Sequence, residues 1–203
     1  MRKLIVLSFV TLDGIMQAPG EPEEDTSGGF PYGGWSAPLW DDFMSQVMIE
    51  QLNKPYDLVL GRKTYEIFAS YWPHQDNERS LIARGLNSAR KYVASTTLQK
   101  LDWHNSTLLE GDVAQAIQAL KGQDGPELQV HGSGNLIQTL LRGDLVDELW
   151  LKTFPVTLGT GKRLFGGGSI PAAFTVREVK TSPRGVIVAS YERAGEVQAG
   201  TMG

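Results

Sequence analysis

Short apolar runs of strand length recur at Leu4–Phe9, Leu58–Leu60, Tyr92–Ala94, Leu128–His131, Trp150–Thr153, Phe174–Val179 and Val186–Tyr191. Between them lie turn residues or stretches whose apolar positions repeat every three or four residues, and that alternation predicts an α/β fold. Two helices are well marked. Asp112 is placed to cap the first, in which Val113, Ala116, Ile117 and Leu120 share one face and Gly122 stands just past the end. The second runs from about Asn135 to Arg142, with Leu136, Ile137, Leu140 and Leu141 as its buried stripe and Gly143 placed to close it in the left-handed conformation. A third helix is predicted from Leu39 to about Leu52, stopped by Lys54-Pro55. Only Lys180 to Gly185 separate the last two strands, which predicts an antiparallel hairpin at the sheet edge.

The segment Ala18–Ala37 follows neither period. Five glycines, three prolines and four acidic residues surround Phe30, Tyr32 and Trp35, too irregular for an element and too aromatic for a linker, so it predicts a long loop of the kind that covers a site. The small and polar stretch 194–203 predicts a disordered tail, leaving residues 1–193 as one domain. A chain of 203 residues with 41% hydrophobic content has enough apolar material for one substantial core.

Charge and composition narrow the function classes. With 19 basic and 23 acidic residues the net charge is -4, so no basic face is available to displace counterions from a nucleic acid. The absence of cysteine removes disulfides, thiolate nucleophiles and thiolate metal sites, and fits a reducing, cytoplasmic compartment. Met1-Arg2-Lys3 before Leu4–Val10 imitates a signal peptide. Ser8 interrupts that run, Met16-Gln17-Ala18 puts a large residue where cleavage wants a small one, and Ile5, Val6, Val10 and Thr11 suit a first strand ending in the turn Asp13-Gly14. Nothing approaches the apolar length that crosses a bilayer.

Candidate chemistry begins with glycines, because a backbone that approaches a phosphate closely cannot carry side chains. Val130-His131-Gly132-Ser133-Gly134-Asn135-Leu136 is a strand running into a helix with glycines at the turn, where free amides meet the helix dipole. It departs from the Rossmann fingerprint, since Ile137 holds the place of the third glycine. A second junction, Leu60-Gly61-Arg62-Lys63-Thr64-Tyr65-Glu66, adds a forked cationic donor at Arg62 and a hydroxyl at Thr64, against the alternative of a capped helix with a solvated Arg-Lys pair. In the third, Val93-Ala94-Ser95-Thr96-Thr97, hydroxyls follow a strand. Three such junctions at strand ends can line one crevice, the geometry of a long, multiply charged ligand.

In the same order, Gly61-Arg62-Lys63-Thr64-Tyr65-Glu66, Val93-Ala94-Ser95 and His131-Gly132-Ser133-Gly134 resemble the motifs of dihydrofolate reductases. Thr11-Leu12-Asp13-Gly14, Val146-Asp147-Glu148-Leu149 and Leu158-Gly159-Thr160-Gly161-Lys162-Arg163-Leu164-Phe165 bring the chain nearer to the reductase domain of bifunctional riboflavin-biosynthesis proteins and its stand-alone bacterial relatives. The resemblance, running to about Tyr191, implies a dihydrofolate-reductase-like three-layer α/β sandwich with a mostly parallel sheet, an antiparallel C-terminal strand, bound NADPH and often a homodimer. It assigns Gly61, Arg62 and Thr64, with Lys63 beside them, to the pyrophosphate and 2′-phosphate side of the cofactor. Ser95 falls on the adenine side, Gly132, Ser133, Gly134, Asn135 and Leu136 on the pyrophosphate turn, and Gly14 and Asp13 on the turn near the nicotinamide. Thr96 stands where many dihydrofolate reductases carry arginine, so a preference for NADPH over NADH rests on Arg62. At the glycine turn, where dihydrofolate reductases have adjacent glycines joined by a cis peptide, Ser133 would have to take the cis bond or the turn would do without it.

The reaction implied is hydride transfer to a C=N or C=O bond of a small molecule, which can be pterin-like or pyrimidine-like. Asp42, with Asp41 beside it, lies near the place of the carboxylate that holds the pterin, although counting back from Lys54-Pro55 puts Phe43 there and either aspartate can instead favour the helix N-terminus. The catalytic candidates are therefore Asp13 and Asp42. Trp35, Trp40 and Trp72 could stack on a flat heterocycle or belong to the core. Other readings are an NADP(H)-binding protein without turnover and a dedicated reductase of riboflavin biosynthesis, the latter weakened by the lack of an attached zinc deaminase pattern. Gly159-Thr160-Gly161-Lys162-Arg163 imitates a P-loop, but Val156 and Arg163 break the pattern. His74, His104 and His131 lack metal-ligand spacing, so no metal is expected. Gly166-Gly167-Gly168-Ser169 reads as a flexible loop.

Overall fold

Strand β1 (Leu4–Thr11) is buried along nearly its whole length, so both its faces and both its edges need cover. The computed structural model, which describes residues 1–167 and 169–202, supplies this from a single sheet with helices on each face. Parallel strands β5 (Glu127–His131) and β6 (Glu148–Phe154) flank β1. On the β5 side follow β2 (Tyr56–Gly61), β3 (Lys91–Ala94) and β4 (Ser106–Leu108), all parallel. Beyond β6 the direction reverses: β8 (Ile187–Arg193) and β7 (Phe174–Thr181) pair antiparallel at the edge. The order β4-β3-β2-β5-β1-β6-β8-β7 is the mostly parallel sheet with an antiparallel end that the motifs implied.

Alternation along the central strands divides the core between two helical layers. Leu4 and Val6 of β1, Leu128 and Val130 of β5 and Leu149 of β6 face α4 (Val113–Gly122) and α5 (Gly134–Arg142), whose Ile117, Ile137 and Leu140 are fully buried. On the other face lie α1 (Asp42–Leu52), α2 (Arg62–Tyr71) and α3 (Leu81–Ser88). There Leu58 and Leu60 pack with Tyr65, Leu86 and Trp103, while Ile15, Met44, Phe154 and Trp35 form a separate cluster under α1.

Several boundaries differ from the sequence pattern. The helix predicted from Leu39 begins at Asp42, because Ala37–Leu39 is a lone 3-10 turn, Trp40 is extended and the Asp41 carboxylate caps α1 by accepting from the Met44 amide at 2.9 Å. Gly143 does not close α5 in the left-handed region (φ −84°). Asp144 does so one residue later (φ 49°), with Arg193 gripping its carboxylate at 2.8 Å, and aspartate is among the few side chains that tolerate that conformation. Helix α4 takes in Gly122, and the β7–β8 connection is 182–186, because β7 runs on through Thr181 while β8 starts at Ile187, one residue later than expected. Helix α3 and the three-residue β4 carried no clear period and were absent from the predicted set.

Gly168, within the predicted Gly166–Ser169 loop, and Gly203, within the predicted tail, lie outside the described residues. Among the described residues no helix is long and apolar enough to cross a membrane.

Candidate functional site

The three glycine and hydroxyl junctions emerge from adjacent strands. Register pairs Gly61 with Ala94 across β2–β3 and Val59 with Val130 across β2–β5, so Gly61, Ser95 and Gly132 leave the sheet side by side at its carboxyl edge. Two of these junctions touch. The Gly61 amide donates to Ser133 Oγ at 2.9 Å, and a Cβ on Gly61 would stand 3.2 Å from Ser133 Cβ, so glycine is what allows the approach.

Gly132 (φ 57°) and Ser133 (φ 66°) are consecutive left-handed residues that turn the chain from β5 into the N-terminus of α5. A serine held there costs about 1–2 kcal/mol, and such local strain concentrates at ligand sites. Among the described residues every peptide is trans, so the turn does without the cis bond. Gly134 opens α5, Asn135 is exposed in its first turn, and Leu136 points the other way into the core.

Arg62, Lys63 and Thr64 form the first turn of α2. Arg62 is exposed and pairs with Glu66 at 3.2 Å. Thr64 Oγ1 lies 3.7 Å from where a Cβ on Gly132 would stand, which joins the two glycine turns a second time. Ser95 Oγ accepts from the Thr97 and Leu98 amides at 3.1 and 3.0 Å, so this hydroxyl builds the turn that ends β3.

Across this edge the Ala18–Ala37 segment is tied down as a folded loop. Gln17 is buried and donates to the carbonyls of Asp25 and Ser27 at 2.9 Å each, while its Oε1 accepts from the Lys162 amide at 3.0 Å. Phe30 and Trp35 are buried, and Trp35 Nε1 donates to the Gln17 carbonyl at 2.7 Å. Asp25 pairs with Lys162 at 2.5 Å and with Lys63 at 3.4 Å. Partial burial pushes the Asp25 carboxyl up, but the Lys162 ammonium and the Ser27 hydroxyl and amide outweigh it and hold the group well below the ordinary carboxylate range. The loop, Lys63 of α2 and the Gly159–Arg163 segment thus meet at one carboxylate, a contact that required residues 137 positions apart to be brought together.

The two predicted catalytic aspartates lie in different settings. Asp13 closes the turn after β1: the Thr11 hydroxyl donates to its carboxylate, as do the Gly159 amide at 2.8 Å and the Leu158 amide at 3.3 Å. These donors, the Thr11 hydroxyl foremost, hold its carboxyl below the usual value, so it stays ionised. Gly14 (φ 79°) completes that turn, with its amide bonded to the Thr11 carbonyl. Asp42 is exposed in the first turn of α1. Of the three tryptophans, Trp35 meets Phe154 edge-on at 5.3 Å in the core, and Trp72 packs on Phe68 beside α2. Trp40 remains half-buried, edge-on to Phe9 at 5.7 Å.

Beneath α1 lies a polar group absent from the predicted set. Lys152, fully buried on β6, donates to Gln51 Oε1 of α1 and sits 5.7 Å from the centre of the Phe9 ring. Gln129 Nε2 reaches the Gln51 carbonyl at 3.3 Å, and its Oε1 meets His131 Nε2 at 3.0 Å. Burial lowers the Lys152 amine to about 7. Burial, aided by the Lys152 charge, lowers His131 to about 3, so the ring is neutral. A lone lysine at an inward position of the strand Leu149–Phe154 was the available signal.

The architecture is that of a dihydrofolate-reductase-like domain. Its fold matches dihydrofolate reductase from Enterococcus faecalis, a structure determined with NADP(H), at a TM-score of 0.58 and 12% identity over 94% of this chain and 96% of that one. A riboflavin biosynthesis protein described as putative, from Shewanella sp. PV-4, gives a TM-score of 0.66 with 23% identity, covering 95% and 99% of the two chains. The sequence matches the RibD C-terminal domain over residues 2–188, and the chain belongs to that family. The Bacillus subtilis (strain 168) protein YyaP is 30% identical over 172 residues, 81% of this chain and 80% of that protein.

Proposed function

We propose that this protein is an NADPH-dependent reductase that transfers hydride to a C=N or C=O bond of a small molecule. The observation that carries the proposal is the clasp of the Gly61 amide on Ser133 Oγ, which joins two glycine-lined strand ends at one edge of the sheet. The residues present fit a dinucleotide. Gly132 and Ser133 lead into the N-terminus of α5, whose first-turn amides have no partner within the helix, and the cations Arg62, Lys63 and Lys162 stand on the segments around it. Arg62, exposed at the α2 N-terminus, is the group for a 2′-phosphate, with Glu66 as the partner it exchanges. When bound, the nicotinamide would supply the hydride; the chain would supply position, exclusion of water by the Gln17–Trp35 loop and a charged surround. Membership of the reductase-like RibD C-terminal domain family supports the same class of reaction.

Calorimetric titration of NADPH and NADH into the purified protein tests this, repeated with Arg62→Ala. Micromolar NADPH binding that weakens about tenfold in the variant, as loss of one charge-assisted contact predicts, supports the proposal and opens a substrate screen by cofactor absorbance. Binding of neither nucleotide overturns it.

A further inference from the structure

We infer that Asp25 is an internal stand-in for phosphate: its carboxylate pins the tip of the Ala18–Ala37 loop to Lys63 and Lys162, and a diphosphate takes those two lysines from it and frees the tip. The inference rests on the reductase reading only in naming a dinucleotide as the carrier of that diphosphate, and the ion cluster stands on its own geometry.

The Asp25 carboxylate accepts from Lys162 Nζ at 2.5 Å, from Lys63 Nζ at 3.4 Å, and from the Ser27 hydroxyl and amide at 2.6 and 3.2 Å. Ammonium, hydroxyl and amide donors converging on one oxyanion are the donor set of a phosphate site. Charge does not balance there. Two ammoniums face one carboxylate, because the neighbouring Glu24 accepts from the Gly20 and Glu21 amides at 2.7 and 3.3 Å. Among the described residues neither lysine has another carboxylate partner. A diphosphate, which carries at least two negative charges, matches the pair better than Asp25 does. The lysines are also within reach of a solute: the side chains of Lys63 and Lys162 are 56% and 43% exposed, so exchange displaces a surface carboxylate and opens no core.

The cluster is joined to both ends of the glycine turn ahead of α5. Thr64, the neighbour of Lys63, meets Gly132. Met16, whose amide donates to the Lys162 carbonyl at 2.8 Å, brings its sulfur to 3.9 Å from where a Cβ on Gly134 would stand. Around the buried anchors Gln17, Phe30 and Trp35, the tip of the loop is a surface structure in which Thr26, Ser27, Gly28 and Gly29 are exposed. Gly28 and Gly29 are successive left-handed residues with nothing within 4 Å of a Cβ, so the chain can re-route there without a clash. With both lysines taken, the Gln17 bonds to the Asp25 and Ser27 carbonyls, 2.9 Å each, are what still ties this stretch down. The anchors stay in place, and the tip alone moves.

The probe is inorganic pyrophosphate, titrated calorimetrically into the full chain at constant ionic strength. A nitroxide on Thr26→Cys reports the tip, since the chain has no other thiol and the Thr26 side chain makes no capping bond. Pyrophosphate should bind the otherwise unaltered protein and sharpen the nitroxide spectrum, as a freed tip does. Asp25→Asn removes the competing anion, so it should bind pyrophosphate at least about fivefold more tightly and show a mobile nitroxide before ligand is added. Glu23→Gln removes an exposed charge from the same loop and should change the affinity by less than about twofold, which separates competition for the lysines from the general field. No binding of pyrophosphate, a nitroxide slowed or unmoved by it, or equal gains in the two variants would each overturn the inference. The nitroxide response decides it even if Asp25→Asn does not fold. NADPH is then titrated in the same way. Release of the tip by pyrophosphate without NADPH binding would remove the reductase reading alone, and NADPH binding that slows the tip would remove this inference alone.

Discussion

The carboxyl edge of this sheet is built in two ways. Along β2, β3 and β5 the working groups are backbone: glycines that allow close approach, consecutive left-handed residues at Gly132 and Ser133, and cations left exposed on α2. Along β1 and β6, under α1, the working groups are side chains packed dry: Phe9, Trp35, Trp40 and Phe154 edge to edge, with Lys152 among them. A backbone site can serve any ligand with a phosphate, because amides and helix ends are the same in every chain. A side-chain site is particular to its sequence.

The two halves should break differently. Phe154→Ala empties a fully buried position in the aromatic half and should cost about 3–5 kcal/mol in urea unfolding, and a loss under about 1 kcal/mol would mean that this cluster is not core. Gly61→Ala crowds Ser133 in the backbone half, so it should cost about 1–3 kcal/mol and weaken NADPH binding as well. Its effect on nucleotide affinity, read by calorimetry, is what separates it from Phe154→Ala.

Lys152 gives a pH signature. Burial lowers its amine from 10.5 to about 7, so between those values the unfolded chain holds a proton that the folded chain has released, and raising the pH favours the fold. From pH 7 to 8 the wild type should gain up to about 1.4 kcal/mol relative to Lys152→Met. Above about 8 Lys91, lowered by the same cause, adds its own slope to both proteins, so the difference between them is the quantity to measure. Parallel stability curves would mean that Lys152 is solvated.

The smallest effects distinguish neighbours. Asp41→Ala removes the α1 cap and should cost about 1 kcal/mol, whereas the exposed Asp42→Ala should stay within about 0.5 kcal/mol by thermal unfolding. Equal losses would mean that the helix dipole, and not the cap hydrogen bond, is what the pair serves.

The α/β alternation, the parallel centre with its antiparallel end and the glycine junctions were legible because each is written in residues close together in the chain. Asp112 caps α4 as its pattern demands, and the Leu136–Leu141 stripe is buried. Helix α3 and β4 were not legible: one is two turns long and the other three residues, too short for a period to declare itself. Counting along the chain could not choose between Asp41 and Asp42, since both suit a helix N-terminus and only the path of the chain past Trp40 makes one of them the cap. The charge of the Ala18–Ala37 loop was visible, but not that Asp25 would meet Lys63 and Lys162.

By itself, then, the sequence determined the layers of this protein and the glycine-bearing strand ends, because hydrophobic period and glycine placement act over a few residues. Only the tertiary structure decided which charges are matched. Lys121 finds Asp147, Lys91 finds two carbonyls and Lys152 finds one amide, and burial with or without a partner depends on which strands and helices become neighbours in space.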